Sequence, residues 1–271
     1  MTTLHCFDEA LALQPLDAPG RYAGSTHPAY WNMVGPFGGA TAATLLNAVL
    51  RHPEVQGTPL SLTVNYAAAL EAGSFELQAR PVRTNRSTQH WLVELSQGGA
   101  VAATATVVTA LRRDTWGASD LPAPLVPRPE AVEPVAAGPA RLAWLANYEM
   151  RPIKGGLPER WDGRGQHSES LLWVREAPER ALDFAALAAL SDVFLPRIYL
   201  RRAQVVPIGT VSLTTYFHAD AALLARVGSG YLLGRAVGQQ FGQGFFDQAA
   251  QLWSEAGELI ATSSQIVYYR E

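Results

Sequence analysis

One cysteine, Cys6, and one lysine, Lys154, occur in the 271 residues. A single cysteine excludes an intramolecular disulfide framework and a cysteine-rich metal site. It fits a reducing compartment, and the cytoplasm is the expected location. Lys154 lies in a glycine-flanked loop and every other basic residue is arginine, so proton chemistry by a lysine of lowered pKa is discounted. No apolar run reaches the roughly 18 residues of a spanning helix, and Met1 to Pro15 has no basic segment followed by a long apolar stretch; no membrane span is expected. Excess charge is missing too. A net charge of −3 and a pI near 6.1 give no electrostatic footprint for a polyanion, which argues against nucleic acid as a partner.

Several catalytic signatures are also lacking. The histidines, at 5, 27, 52, 90, 167 and 218, show no ligand spacing, and no Gly-x-Ser-x-Gly elbow occurs, so neither a metal nor a serine triad is indicated. Gly228-Ser229-Gly230-Tyr231-Leu232-Leu233-Gly234 has one residue too many for the dinucleotide fingerprint and joins strands, so it cradles no nucleotide. No cofactor is expected.

What the chain does have is core-forming residues, with 48% hydrophobic content, and a division into two parts. Pro122, Pro124, Pro127, Pro129, Pro134 and Pro139 forbid regular structure from Leu121 to Ala140, which reads as an extended connector. The expected units are therefore residues 1–120 and 141–271, flanking residues 121–140. In the first, Gly38-Gly39 opens an Ala- and Leu-rich helix to Leu50, and strands are predicted at Leu60 to Ala68, Phe75 to Val82, Thr88 to Ser96 and Val101 to Leu111. In the second, strands at Trp144 to Arg151 and Ser168 to Arg175 precede a helix from Ala181 to Phe194, stopped by Pro196. Strands near Thr210 to His218, Tyr231 to Gln239, Gly244 to Ser254 and Leu259 to Tyr269 follow.

The halves also match residue by residue. Leu60-Ser61-Leu62-Thr63 is similar to Val211-Ser212-Leu213-Thr214, and Gly99 to Thr104 is similar to Gly257 to Thr262. A duplicated unit that buries one helix in its own antiparallel sheet and pairs with its copy is an α+β double hotdog, the internal counterpart of a dimer. Any further association into a homo-oligomer would use outer surfaces.

Three polar residues stand in otherwise apolar or strand-like segments of the second half: Asp192 after Ser191, Thr210 after Ile208-Gly209, and Gln265 after Ser264. A carboxylate beside a core face holds its proton more tightly than one in water and can act as a general base, although a solvated helix carboxylate has the same spelling. Thr210 is equally a plain strand former. Gln265, with Ala261, Ser263 and Val267 on its face, is either a satisfied core amide or a site residue.

These segments, together with Val34-Gly35-Pro36-Phe37-Gly38-Gly39 and the stretch from Leu60 to Thr109, resemble the acyl-CoA thioesterase II family, in which an Asp, a Thr and a Gln occur in this order. The resemblance implies hydrolysis of an acyl-CoA substrate to a free acid and coenzyme A, with Asp192, Thr210 and Gln265 activating a water. It also implies a site between the two units, where the backbone N–H groups of Gly38 and Gly39 would hold the oxyanion; a tight turn is the simpler use of two glycines. The chain departs from the family pattern at Ala40 and in the run after Thr210. That leaves a non-catalytic acyl-CoA-binding or scaffolding double hotdog as the alternative. Arg80, Arg83, Arg86, Arg112-Arg113 and Arg201-Arg202 are candidates for the phosphates of coenzyme A. His218, at the far end of the strand that begins at Thr210, lies about 26 Å along it and cannot share that water.

Overall fold

Runs of alternating burial dominate the chain, and each forms an antiparallel strand with one face inward. The computed structural model describes residues 4–135 and 140–271. The first half contains α1 (Cys6–Ala10), β1 (Gln14–Pro15), β2 (Arg21–Ser25), α2 (Gly38–Leu50), β3 (Thr58–Tyr66), β4 (Ser74–Thr84), β5 (Thr88–Gln97) and β6 (Ala100–Ala110). The second contains β7 (Tyr148–Lys154), β8 (Ser170–Glu176), α3 (Phe184–Leu190), α4 (Arg197–Arg202), β9 (Ile208–Phe217), α5 (Ala221–Val227), β10 (Leu232–Val237), β11 (Phe241–Gly242), β12 (Phe245–Ser254) and β13 (Leu259–Tyr269).

All strands join one sheet in the order β1-β2-β4-β5-β6-β3-β9-β13-β12-β10-β8-β7, with β11 attached to β12. The seam is the pairing of β3 with β9. There Thr63 faces Thr214, Ser61 faces Tyr216 and Asn65 faces Ser212, so the duplicated strands meet head to tail about one point. The Thr63 and Thr214 hydroxyls lie 3.1 Å apart at that point. The sheet is thus an α+β double hotdog whose halves are related by an approximate twofold axis between two threonines.

Helix α2 packs on β4, β5 and β6. Every residue of α3 is buried, which suits a helix that is apolar all round, and the Asp183 side chain caps it by accepting the Ala186 N–H at 2.8 Å. Helix α2 packs against α3, and two glycines make the close approach possible. A Cβ at Gly39 would lie 2.5 Å from the Ala189 carbonyl oxygen, and one at Gly38 would lie 2.7 Å from Oδ2 of Asp192.

Several elements differ from the sequence-based expectation. The helix expected to Phe194 ends at Leu190, so Asp192 stands just beyond its last turn. The strand expected from Trp144 begins at Tyr148, because a 3-10 segment occupies Ala140–Asn147. Helices α1, α4 and α5 are too short for periodicity to reveal. The connector has no strand or α-helix over its described part, which up to residue 135 is irregular apart from one 3-10 turn at Pro129–Ala131, and its residues 136–139, including Pro139, lie outside the described residues. It is more than a tether. Trp173 donates its indole N–H to the Pro127 carbonyl at 2.9 Å, Trp253 donates to Leu121 at 3.2 Å, and Ala123, Val126 and Val132 cover a satellite core on the outer face of the second half.

Candidate active site

Sequence order places Asp192 behind a helix, Thr210 on β9 and Gln265 on β13, and the fold brings the three to one cavity of about 610 Å³. Gly38 lines the same cavity from the first half. Gln265 faces inward with Ala261, Ser263 and Val267, all buried, and donates Nε2–H to Oδ1 of Asp192 at 2.6 Å. Thr210 reaches this face by a local irregularity. Thr210 pairs with Val267 while Ser212 pairs with Ile266, which leaves Val211 as an extra residue in β9. Without that bulge the period of two would turn Thr210 to the outer face with Ser212. Among the described residues none hydrogen-bonds the Thr210 hydroxyl, which is open to the cavity.

The electrostatics favour a base that works near neutrality. Burial raises the Asp192 carboxyl to about 7, while the Gln265 amide and the Gly39 backbone N–H, both donating to it, pull in the other direction. Gly39 thus lies close to the Asp192 carboxylate, and its N–H favours the ionised form. Gly38, at the first position of α2, keeps an N–H without an intrahelical acceptor. Its carbonyl accepts from the Tyr66 hydroxyl at 2.8 Å, and Tyr66 itself is held protonated by burial and by Asp192.

Residues that the sequence did not single out complete the cavity. Phe37 stacks on Trp144 with ring centroids 4.2 Å apart, joining the loop before α2 to the segment before β7. Gln248 on β12 stands directly opposite Gln265 in the ladder and is 3% exposed. An inward glutamine between Phe246 and Ala250 was detectable as a break in an apolar alternation. Arg112, one of the arginines considered for phosphate, is already engaged. It donates to the carbonyls of Pro59 and Phe217 at 2.9 and 2.7 Å and so clamps β3 to β9. Arg201 donates to the Gly165 carbonyl at 3.0 Å, and Arg202 pairs with Glu271. Among the described residues no cluster of acidic, histidine or cysteine side chains could hold a metal ion.

The duplication carries the trio only once. Strand pairing equates Gln265 with Val107, Gln248 with Trp91 and Thr210 with Pro59, so the corresponding positions of the first half are apolar.

Comparison with known proteins agrees with this architecture. No curated protein sequence matches the chain at a significant level. Among solved structures, a conserved hot dog-fold protein of unknown function from Alicyclobacillus acidocaldarius is 45% identical, with each chain 99% covered and a TM-score of 0.93. A putative thioesterase II from Thermobifida fusca is 22% identical over 98% of this chain and 97% of its own, with a TM-score of 0.82. An acyl-CoA thioesterase II from Mycobacterium marinum is 19% identical over 97% and 98%, with a TM-score of 0.76, and like the previous one shows the fold. Residues 27–110 match the model of the acyl-CoA thioesterase N-terminal domain and residues 123–269 that of the C-terminal domain, so the chain belongs to the acyl-CoA thioesterase family.

Proposed function

We propose that the protein hydrolyses acyl-CoA thioesters with a water activated by Asp192, Thr210 and Gln265. The observation that carries this reading is the 2.6 Å contact between Gln265 and Asp192 on the wall of a cavity that also receives Thr210 and Gly38. Ionised Asp192 takes a proton from the water, whose oxygen bonds to the thioester carbonyl carbon. The Thr210 hydroxyl and the Gln265 amide fix the water's orientation. Negative charge moves to the carbonyl oxygen, for which the Gly38 and Gly39 N–H groups at the start of α2 are the proposed donors. Collapse of the tetrahedral intermediate breaks the carbon–sulfur bond. The departing coenzyme A thiolate then takes the proton held by Asp192, which restores the base.

This reading uses no metal and no covalent acyl-enzyme. It assigns the two units to residues 1–120 and 141–271 with residues 121–140 between them, a homo-oligomeric assembly and a cytoplasmic location. Among the described residues no helix is long and apolar enough to cross a membrane. The test is release of free thiol from a panel of acyl-CoAs by the wild type and by Asp192→Asn. Turnover should fall at least about 100-fold in the variant, the usual scale of general-base assistance. Equal hydrolysis by both proteins would end the proposal, and binding without hydrolysis by the wild type would move the acyl-CoA-binding alternative ahead.

A further inference from the structure

The inner face of β12 is apolar at Phe246, Ala250 and Leu252, yet it carries Gln248 between them. This side chain is 97% buried by its 3% exposure, and it lines the cavity that holds Asp192. Among the described residues none hydrogen-bonds its amide, whose polar atoms open to the cavity. A ligand that fills the cavity covers this amide, and leaving it without a partner then costs on the order of 1–3 kcal/mol, so a ligand atom that pairs with it gains affinity that a bare methylene cannot. In a site meant for a plain hydrocarbon chain, an apolar residue would be the stable choice here, as at the equivalent Trp91 of the first half.

Position narrows what the partner can be. Gln248 faces Gln265 directly across the ladder, and such pairs have Cβ atoms about 5 Å apart. Gln265 in turn touches the base, so Gln248 lies beside the place where the thioester carbonyl must sit. An oxygen within its reach is on the acyl carbons nearest the thioester. The amide offers both a donor and an acceptor and thus suits a neutral hydroxyl or oxo group. A second carboxylate would meet the charge of Asp192 close by.

We propose that Gln248 is a specificity-determining residue that selects acyl groups bearing a hydroxyl or oxo oxygen on the second or third carbon, an inference that rests on the thioesterase reading of the cavity. The test compares 3-hydroxyhexanoyl-CoA with hexanoyl-CoA. The wild type should favour the hydroxylated substrate by roughly 10-fold or more in kcat/KM, the equivalent of one hydrogen bond. Gln248→Leu, or Gln248→Met if the first variant fails to fold, should bring that ratio down about 10-fold toward parity. A wild-type ratio at or below one overturns the proposal, as does a variant that slows both substrates by the same factor. If the wild type cleaves neither compound, the thioesterase reading is what has failed. Calorimetric titration of the same two uncleaved thioesters then decides whether the hydroxyl is selected.

Discussion

Asp192 and Glu176 are both carboxyls that burial makes reluctant to ionise, one facing the cavity and the other sealed away. For Asp192, raised to about 7, the proposed mechanism requires the ionised form. We expect kcat/KM to fall about tenfold per pH unit below that value and to level off above it, and this limb should be absent from the residual activity of Asp192→Asn. The stability effect runs the opposite way. The folded-state value exceeds the ordinary 3.8, so the contribution of Asp192 to stability is greatest at low pH and is lost as pH rises through about 7. Asp192→Asn should therefore melt higher than the wild type at pH 8, with a smaller gain at pH 5. Glu176 is raised to about 8 mainly by burial, and its oxygens have no hydrogen-bond partner among the described residues, Arg180 standing 3.7 Å away. Glu176→Gln should likewise raise the melting temperature most above pH 8, where the wild-type carboxyl must ionise in place. At this scale the sequence revealed a good deal. Asp192 and Gln265 stood out as polar residues in apolar settings, whereas Gln248 left only a break in the alternation of its strand, and an interior amide gains meaning only when its ladder partner is known.

Elements set these residues at working distance. The crossing of α2 over the end of α3 is close enough that a methyl at Gly39 would meet a backbone carbonyl at 2.5 Å. Gly39→Ala should destabilise by about 1–3 kcal/mol, the usual cost of overpacking, measured by denaturant unfolding. Gly38→Ala would instead press on Oδ2 of Asp192 at 2.7 Å, so its activity should drop further than its stability. The bulge at Val211 gives a third test. Deleting Val211 restores regular pairing and turns Thr210 outward, so hydrolysis should fall at least as far as in Thr210→Val, for which about tenfold is expected from the loss of one orienting hydrogen bond. The strands of both halves were legible because alternation of period two survives in nearly all of them. The bulge was not, since an extra residue leaves no mark on composition. Nor was the early end of α3, because Ser191-Asp192 continues a helical spelling that the chain abandons to bring the carboxylate round to the sheet.

The whole molecule keeps one face of its sheet occupied and another open. Tyr216 on β9, Ile266 and Tyr268 on β13 and Phe245 on β12 are 52, 43, 41 and 46% exposed, and the rings of Phe245 and Tyr268 lie 6.0 Å apart. This apolar outer surface supports the proposed homo-oligomer. Light scattering should give one discrete assembly larger than a monomer, and Ile266→Lys with Tyr268→Lys should lower its mass. A broad, concentration-driven distribution in the wild type would count against it. The duplication was legible from two matching stretches, but its axis was not, because only the register between β3 and β9 shows that Thr63 and Thr214 meet each other. That meeting has a consequence for how this chain can evolve. In a pair of identical subunits, one gene must spell both the glycines that steady the base and the base itself, and every change appears twice. Here the two duties belong to different stretches of a single polypeptide. Val107, Trp91 and Pro59 show that division: the first half carries no copy of the trio, its share of the proposed chemistry is confined to Gly38 and Gly39 at the start of α2, and elsewhere it can vary wherever packing allows while the second half stays tied to the proposed reaction.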